Sequence, residues 1–512
     1  MKMLQWSLAL SIISLCFAAV CQADNASHSD VREPAVAGKF YPGSAARLRL
    51  AIEKFLQDAV PAKVEKPVAI IVPHAGYIFS GQICADGFNQ VSNQSYDVVV
   101  ILGTNHTNPH YRKISLYPGS GFRTPLGTAA IDKSVMRSLV KADPADCALD
   151  KSLHEHEHSI EVIVPFVQVL FPKAKIVPAV VGSPDMQICD RFGQALARVL
   201  KDKRALIVAS SDLSHYPAAE HANRVDRETL AAMAKLDPAT FVKTVHAHMD
   251  GSILDLRTRA CGEAPILAAM AAARSLGAAR GVVVSYANSG DAPVGERARV
   301  VGYGAVALAA DGAGKSISPS GQTAPAPASA ALRASDKKAL LVLARETLSR
   351  IFLTDTVPLA RGCHVNLQQP RGVVVTLKKE GELRGCIGRM VGDAPLCRLV
   401  GAMTLQAAFH DSRFRPLGAD ELKDTEIEIS VLSPMKQVAG ASDIVVGRDG
   451  VALSKEGRSA VFLPQVPTEQ RWNREEMLDH LCLKAGLKPG GWKEGAHLST
   501  FQAVVFSESG FR

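Results

Sequence analysis

Short apolar runs rich in valine and isoleucine recur through residues 31–310, and each gives way to a polar cluster at a turn. "KPVAIIVPHAG" (66–76) stops at Pro73 and delivers His74 into a glycine turn. "DVVVILGTNHT" carries Val98–Leu102 into Gly103 and then His106, and "ALIVASSDLSH" ends on Asp212 and His215. Such runs, bounded by turn residues and separated by helix-like segments, predict buried parallel strands. "ARVVGYGAVAL" predicts a closing strand. The alternation predicts an α/β domain over 31–310 with a largely parallel, helix-covered sheet. Ligands of open α/β sheets sit outside the carboxyl ends of the strands, so the three polar clusters are expected to meet in one crevice.

The pattern changes at 311–335, "DGAGKSISPSGQTAPAPASAALRAS", whose Ala/Pro/Ser/Gly content reads as a semi-rigid linker. Beyond it, helix-like "DKKALLVLARETLSRIF" precedes "RGVVVTLKKEGELRGCIG", a hairpin turning at "KEGE". "EIEISVLSP" and "SAVFLPQVP" are strand-like. "NREEMLDHLCLKAGL" predicts a helix with Asn473 as N-cap, Glu476 at the third helical position and Gly486 as stop. Residues 336–512 therefore form a separate α+β domain. Residues 1–23 combine Lys2, an apolar stretch and a small-residue exit after Ala23, the pattern of a cleaved signal peptide. Export to the periplasm or outside the cell is expected. Val20 before Cys21 argues against a lipoprotein anchor, and no later segment reads as a membrane span.

Composition narrows the picture little. The net charge of +8 is spread over 512 residues without a Lys/Arg block, so nucleic acid is not an expected partner. Eight cysteines lie beyond the leader, with no CxxC pair or iron–sulfur spacing, and no disulfide is assigned.

The candidate chemistry sits at the strand ends. His74, His106 and Cys261 are nitrogen and thiolate donors suited to a first-row metal. Cys261 opens the alanine-rich helix "CGEAPILAAMAAARSLGA", where the helix dipole would favour its thiolate. Asp212 could orient His215, and His215 could move a proton. In "HEHEHSIEVIVPFVQVLF" (154–171), an extended segment would place His154, His156 and His158 on one side. A helix beginning at His158 would instead set His158 and Glu161 on one face as pocket candidates. Each residue alone also has a structural reading, a hydrogen-bonded strand-end histidine or a packed thiol. Their convergence favours a site.

Six stretches in order, "VREPAVAGKFYPGS", "VPHAGYIFSG", "ILGTNHT", "EHSIEVIVPFVQ", "SSDLSHYP" and "ACGEAPI", resemble the Memo family, component B of the AmmeMemoRadiSam set. The resemblance implies a fold like the class III extradiol dioxygenases. It also implies a mononuclear metal site of two histidines and one cysteine, His74, His106 and Cys261, with Asp212 and His215 at the acid/base position. Iron or copper and oxygen-linked redox chemistry on a small molecule are implied. By ligand type a thiolate also admits zinc. A non-catalytic copper- or iron-binding or interaction module, and a zinc-dependent hydrolase, are the alternatives.

"LRGCIG", "HDSRFRPL", "FLPQVP" and "RWNREEMLDHLCLKAGL" resemble the AMMECR family, component A of the same set. That implies a two-part α+β domain whose groove would carry Arg384, Cys386, Asp411, Arg413 and Trp472. The two guanidinium groups are matched to a carboxylate or phosphate. A separate radical-SAM enzyme is the partner the resemblance implies.

Overall fold

The computed structural model describes residues 30–310, 331–361 and 363–511. The leader at 1–23 and most of the 311–335 linker lie outside the described residues. Among the described residues, no helix is long and apolar enough to cross a membrane.

The first domain is built on an eight-stranded sheet. Its four central strands lie in the order Ala69–Val72, Ala205–Ser210, Val98–Thr104 and Lys175–Val181, all parallel. Every residue of Ala69–Val72 and Val98–Thr104 is buried, because helices cover both faces of the sheet. This is why those segments are continuous apolar runs rather than alternating ones. The margins are mixed. Gly302–Ala309 runs antiparallel to Ala69–Val72, Arg280–Asn288 pairs antiparallel with Gly302–Ala309, and Ile114–Leu116 is antiparallel to Lys175–Val181. The expectation of a largely parallel sheet thus holds for its centre and fails at both margins. At one margin, the last two strands follow one another after a short excursion rather than a helical crossover, and only such a crossover returns a chain in parallel.

Register places the functional edge. Val72 lies opposite Ser210 and Leu102 opposite Ala209, so these three carboxyl ends stop side by side. His74 and Asp212 each come two residues after their strands, and His106 two residues after Thr104. Gly103 is needed here. A Cβ at that position would come within 2.4 Å of Ile160 Cγ1 and 2.7 Å of Ser159 Oγ, so only a glycine lets the His158–Glu161 helix lie on the strand.

The second domain holds a four-stranded antiparallel sheet in the order Glu382–Arg389, Val373–Lys379, Thr425–Leu432 and Ala503–Ser507. Helices Ala334–Thr354 and Leu396–Phe409 pack with it around one core. The expected hairpin turns at Glu380 and Gly381, both at positive φ. A second sheet, which includes Gly450–Lys455 and Arg458–Phe462, and the helix Arg474–Lys484 enclose a smaller core. That helix has a reciprocal capping box between Asn473 and Glu476. The two domains meet where Ala45–Gln57 lies against Ala334–Thr354, with Arg47 Nη2 donating to Phe352 O at 2.6 Å and Arg350 paired to Asp58.

Gly103→Ala is expected to lower stability by about 1–3 kcal/mol through overpacking. Urea denaturation of the full chain tests this, and an unchanged midpoint would mean that the 158–161 helix retreats at no cost.

Candidate metal centre

The site grows from the strand end Ser210–Asp212. Ser210 Oγ donates its one hydrogen to Ser159 O at 2.7 Å and therefore accepts from His74 Nδ1, also at 2.7 Å. This fixes the His74 tautomer: Nδ1 carries the proton, and Nε2 offers its lone pair to Cys261 Sγ at 3.3 Å. Ser211 Oγ accepts from Gly262 N at 2.9 Å. A Cβ on Gly262 would meet Ser211 Cβ at 2.5 Å, so the glycine permits this approach. Asp212 Oδ1 accepts from the backbone of His74 at 2.9 Å and of Ala75 at 3.3 Å, and its own N–H donates to Cys261 Sγ at 3.3 Å. Three consecutive residues thus position both His74 and Cys261.

A second carboxylate holds His106 and caps the helix that carries His158. Glu157 is buried and accepts from His106 N at 2.7 Å, His106 Nδ1 at 2.9 Å and Ser159 N at 2.8 Å, the last as N-cap of the helix that begins at His158. The His106 and His158 rings stack at 4.6 Å, and His74 stands edge-on to both at 5.2 and 5.5 Å. Two overlapping donor groups result, each with its ligand atoms within 4.8 Å of one another: His74, His106 and His158, and His74, Asp212 and Cys261. His74 is common to both.

Electrostatics follow from burial. Desolvation, then the neighbouring imidazoles His106 and His158, hold the His74 pKa well below its ordinary value. His158 is lowered, again chiefly by burial. For His106 burial acts downward, but the hydrogen bond and charge of Glu157 outweigh it and raise the pKa. Burial works to raise Glu157, yet its bonds from His106 and Ser159 bring it to about 2. Burial, reinforced by the Asp212 charge, pushes the Cys261 thiol far up. The expected dipole-favoured thiolate is therefore corrected. Cys261 lies one residue outside the Gly262 N-cap, and desolvation beside a carboxylate exceeds the pull of the helix end.

The remaining predicted residues fall as follows. His215 is half-buried, its Nε2 is enclosed without a hydrogen-bond partner, and desolvation lowers its pKa. Among the described residues Asp212 bonds the His74 turn rather than His215. The three alternating histidines do not share a side, because Asp150 starts a helical turn at Ser152–Glu155 and Glu157 starts another at His158. His154 faces Ser115 and is buried, and His156 is exposed. Glu161 turns away from the cluster. Arg32, Tyr41 Oη at 2.5 Å, and the backbone of Ala35 and Val36 at 2.8 and 3.0 Å surround it, tying the first described segment to the helix.

In the second domain, Arg384 is occupied internally by Glu421 at 2.9 and 3.1 Å and by the carbonyls of Arg415 and Pro416. Arg413 pairs with Asp411 at 2.7 Å, and Asp411 accepts from Cys386 N at 2.8 Å. Trp472 stacks on His480 at 4.0 Å and lies near Phe462. The structure thus gathers Cys386, Asp411 and Arg413, whose Nη2 also donates to Cys386 O at 3.3 Å, while Arg384 is engaged by Glu421 and Trp472 by His480. Glu157 and Ser210 were missed from the sequence, although each sits at a readable place: an acid two residues before Ser159 at a helix start, and the last residue of a strand.

The Memo-like protein family model matches residues 32–307, and the AMMECR1 model matches 341–506. A MEMO1 family protein of Aquifex aeolicus is 38% identical over 275 residues, covering 53% of this chain and 97% of the relative. One of Aeropyrum pernix is 38% identical over 289 residues, covering 54% and 99%. A solved structure of an uncharacterized protein from Pyrococcus horikoshii is 32% identical, covering 35% of this chain and 93% of its own, with a TM-score of 0.34.

Two stability measurements test the assignments. Burial lowers His154 from 6.5 to about 3, so the folded protein binds fewer protons than the unfolded chain between those values. Its contribution is complete above pH 6.5 and falls by about 1.4 kcal/mol per pH unit as pH drops toward 3. His154→Asn should flatten the loss of stability between pH 6.5 and 5, read from urea midpoints; an unchanged slope would contradict a neutral buried His154. Arg384→Met leaves buried Glu421 without its main partner and should cost about 3–5 kcal/mol. A neutral effect would return Arg384 to a ligand-binding role.

Proposed function

Because the chain belongs to the Memo family over residues 32–307 and carries an AMMECR1 domain at 341–506, we propose that it is a metal-dependent redox protein acting on a small oxidisable molecule. In this reading the second domain binds substrate or a protein partner. The observation that carries the reading is the His74 junction, one imidazole with its Nδ1 fixed by Ser210 and its Nε2 aimed at a thiol, inside two overlapping donor groups.

The donor set fits a first-row transition ion. Imidazole and thiol are borderline to soft ligands, and both His74 and His106 carry the outer hydrogen bond that commonly fixes a ligating tautomer. A bound iron or copper would supply redox chemistry with oxygen. The chain's own residues do the rest. His74 and His158 are kept neutral by burial and so remain available as donors below the usual histidine range. Glu157 holds His106 in place. His215, neutral and with a buried, unpartnered Nε2, is suited to take a proton from a substrate hydroxyl. Asp212, two residues from the end of its strand, positions His74 and Cys261 rather than reacting.

The basic start, apolar stretch and small-residue exit of residues 1–23 support action after export. A radical-SAM enzyme would then be a separate chain. Zinc is the second reading, favoured by the group of three histidines, and would direct the same pocket to water activation and hydrolysis.

Elemental analysis of the full-length protein tests the proposal. About one iron or copper per chain is expected, lost in His74→Ala and His106→Ala. His158→Ala and Cys261→Ala separate the two donor groups, since the substitution that empties the site removes a ligand. Glu157→Gln should weaken metal binding about 10–100-fold without emptying the site at saturating metal. Stoichiometric zinc would move the assignment to hydrolysis, and absence of stoichiometric metal would overturn it.

A further inference from the structure

Between the two domains lies a cavity of about 130 Å³. Tyr286 and Asp291 of the first domain line one side, and Arg361, Pro395, Cys397 and Arg398 of the second line the other. The volume corresponds to several waters at about 30 Å³ each, enough for an ion of a few heavy atoms.

The positive groups are incompletely bonded. Arg398 is 6% exposed and donates through Nη2 to Gly295 O at 2.7 Å, but its Nε is buried with no partner. Among the described residues, no carboxylate forms an ion pair with Arg398. Arg361 Nη1 stands 2.6 Å from Asp86 Oδ2, yet neither Nη1 nor Nη2 is aligned for a hydrogen bond, and both are buried. Asp86 Oδ2, like the two Arg361 nitrogens that it pairs with, has no aligned hydrogen-bond partner, whereas the remaining acidic oxygens are engaged. Asp291 accepts from Asn288 N at 2.9 Å and faces Arg297 at 3.6 Å, and the other oxygen of Asp86 accepts from Val60 N at 3.1 Å. Burial accordingly lowers the Arg398 pKa, since nothing adjacent fully compensates its charge. Buried guanidinium N–H groups are rarely left unbonded, and each costs free energy until something accepts from it.

We propose that this cavity is a binding site for a small oxyanion, a carboxylate or a phosphate group, held between Arg398 and Arg361 at the junction of the two domains. Both classes present planar or tetrahedral oxygens that match a guanidinium fork. Because the lining comes from both domains, bound anion favours their docked arrangement. The site is independent of the metal reading, as it shares no residue with the histidine cluster.

The test is isothermal titration of the full-length chain with inorganic phosphate and, separately, with acetate, each against chloride at matched ionic strength. Saturable binding of at least one oxyanion is expected, and the arm that responds names the class. Arg398→Met, which removes the fork but keeps an apolar stem, should weaken that binding about tenfold or more. Arg361→Lys, which keeps the charge opposite Asp86, should weaken it less. Heat signals equal to chloride in both arms, or equal affinities in wild type and Arg398→Met, would overturn the proposal. Circular dichroism melting of each variant confirms that the comparison is between folded proteins.

Discussion

One hydroxyl fixes the geometry on which the rest of the candidate centre depends. Ser210 stands at the last position of a central strand, donates to Ser159 O and accepts from His74 Nδ1. A serine has a single hydrogen to donate, so the direction of one bond decides the direction of the other. The result is that the turn after Ala69–Val72 and the helix carrying His158 are joined through the end of a third strand. Glu157 completes the frame by bonding both the backbone and the ring of His106 while capping that same helix. Few side chains therefore set the positions of this cluster.

Burial then decides the charge state of this frame. The His74 pKa is lowered and the Cys261 thiol is raised, so without a cation both prefer their neutral forms, and the thiol proton lies between Sγ and the His74 Nε2 lone pair. Any cation that engages Cys261 must displace that proton, which makes affinity rise with pH. The same burial keeps protons off His74 and His158 in mildly acidic conditions. The site is thus ready on its imidazole side and gated on its thiol side.

The elements were legible in the sequence where local patterning governs them. Apolar runs ending at His74, His106 and Asp212 became adjacent strand ends, and the Asn473–Glu476 cap formed with both of its bonds. Readings failed where a distant partner decides. Alternating histidines at 154, 156 and 158 suggested an extended face, but an Asp150 carboxylate bonding Ser152 N and the Glu157 cap lead into two helical turns there. Glu161 looked like a pocket acid and is enclosed by residues more than a hundred positions earlier in the chain. Arg384 looked like an anion-binding fork and is satisfied by Glu421. Spacing shows which residues share a face; it does not show what reaches them from elsewhere.

The domain junction and the histidine edge are also mechanically related. Tyr286, on the wall of the interdomain cavity, donates to Asp226 at 2.9 Å, and Asp226 accepts from Ser214 N at 2.9 Å and from Ser214 Oγ at 3.0 Å. Ser214 precedes His215 in the segment that leaves the Ser210 strand. A continuous run of hydrogen bonds therefore joins the wall of the cavity to the backbone beside His215. Burial lifts Asp226 to about 7 against the bonds from Ser214 and Tyr286, so this strut loses its negative charge near neutrality. The Tyr286 wall therefore has a bonded route to the backbone beside His215, whereas His74 and Cys261 are held by a different set of bonds through Ser210, Ser211 and Asp212. The wall of the junction and the His74–Cys261 pair are thus held by separate sets of hydrogen bonds.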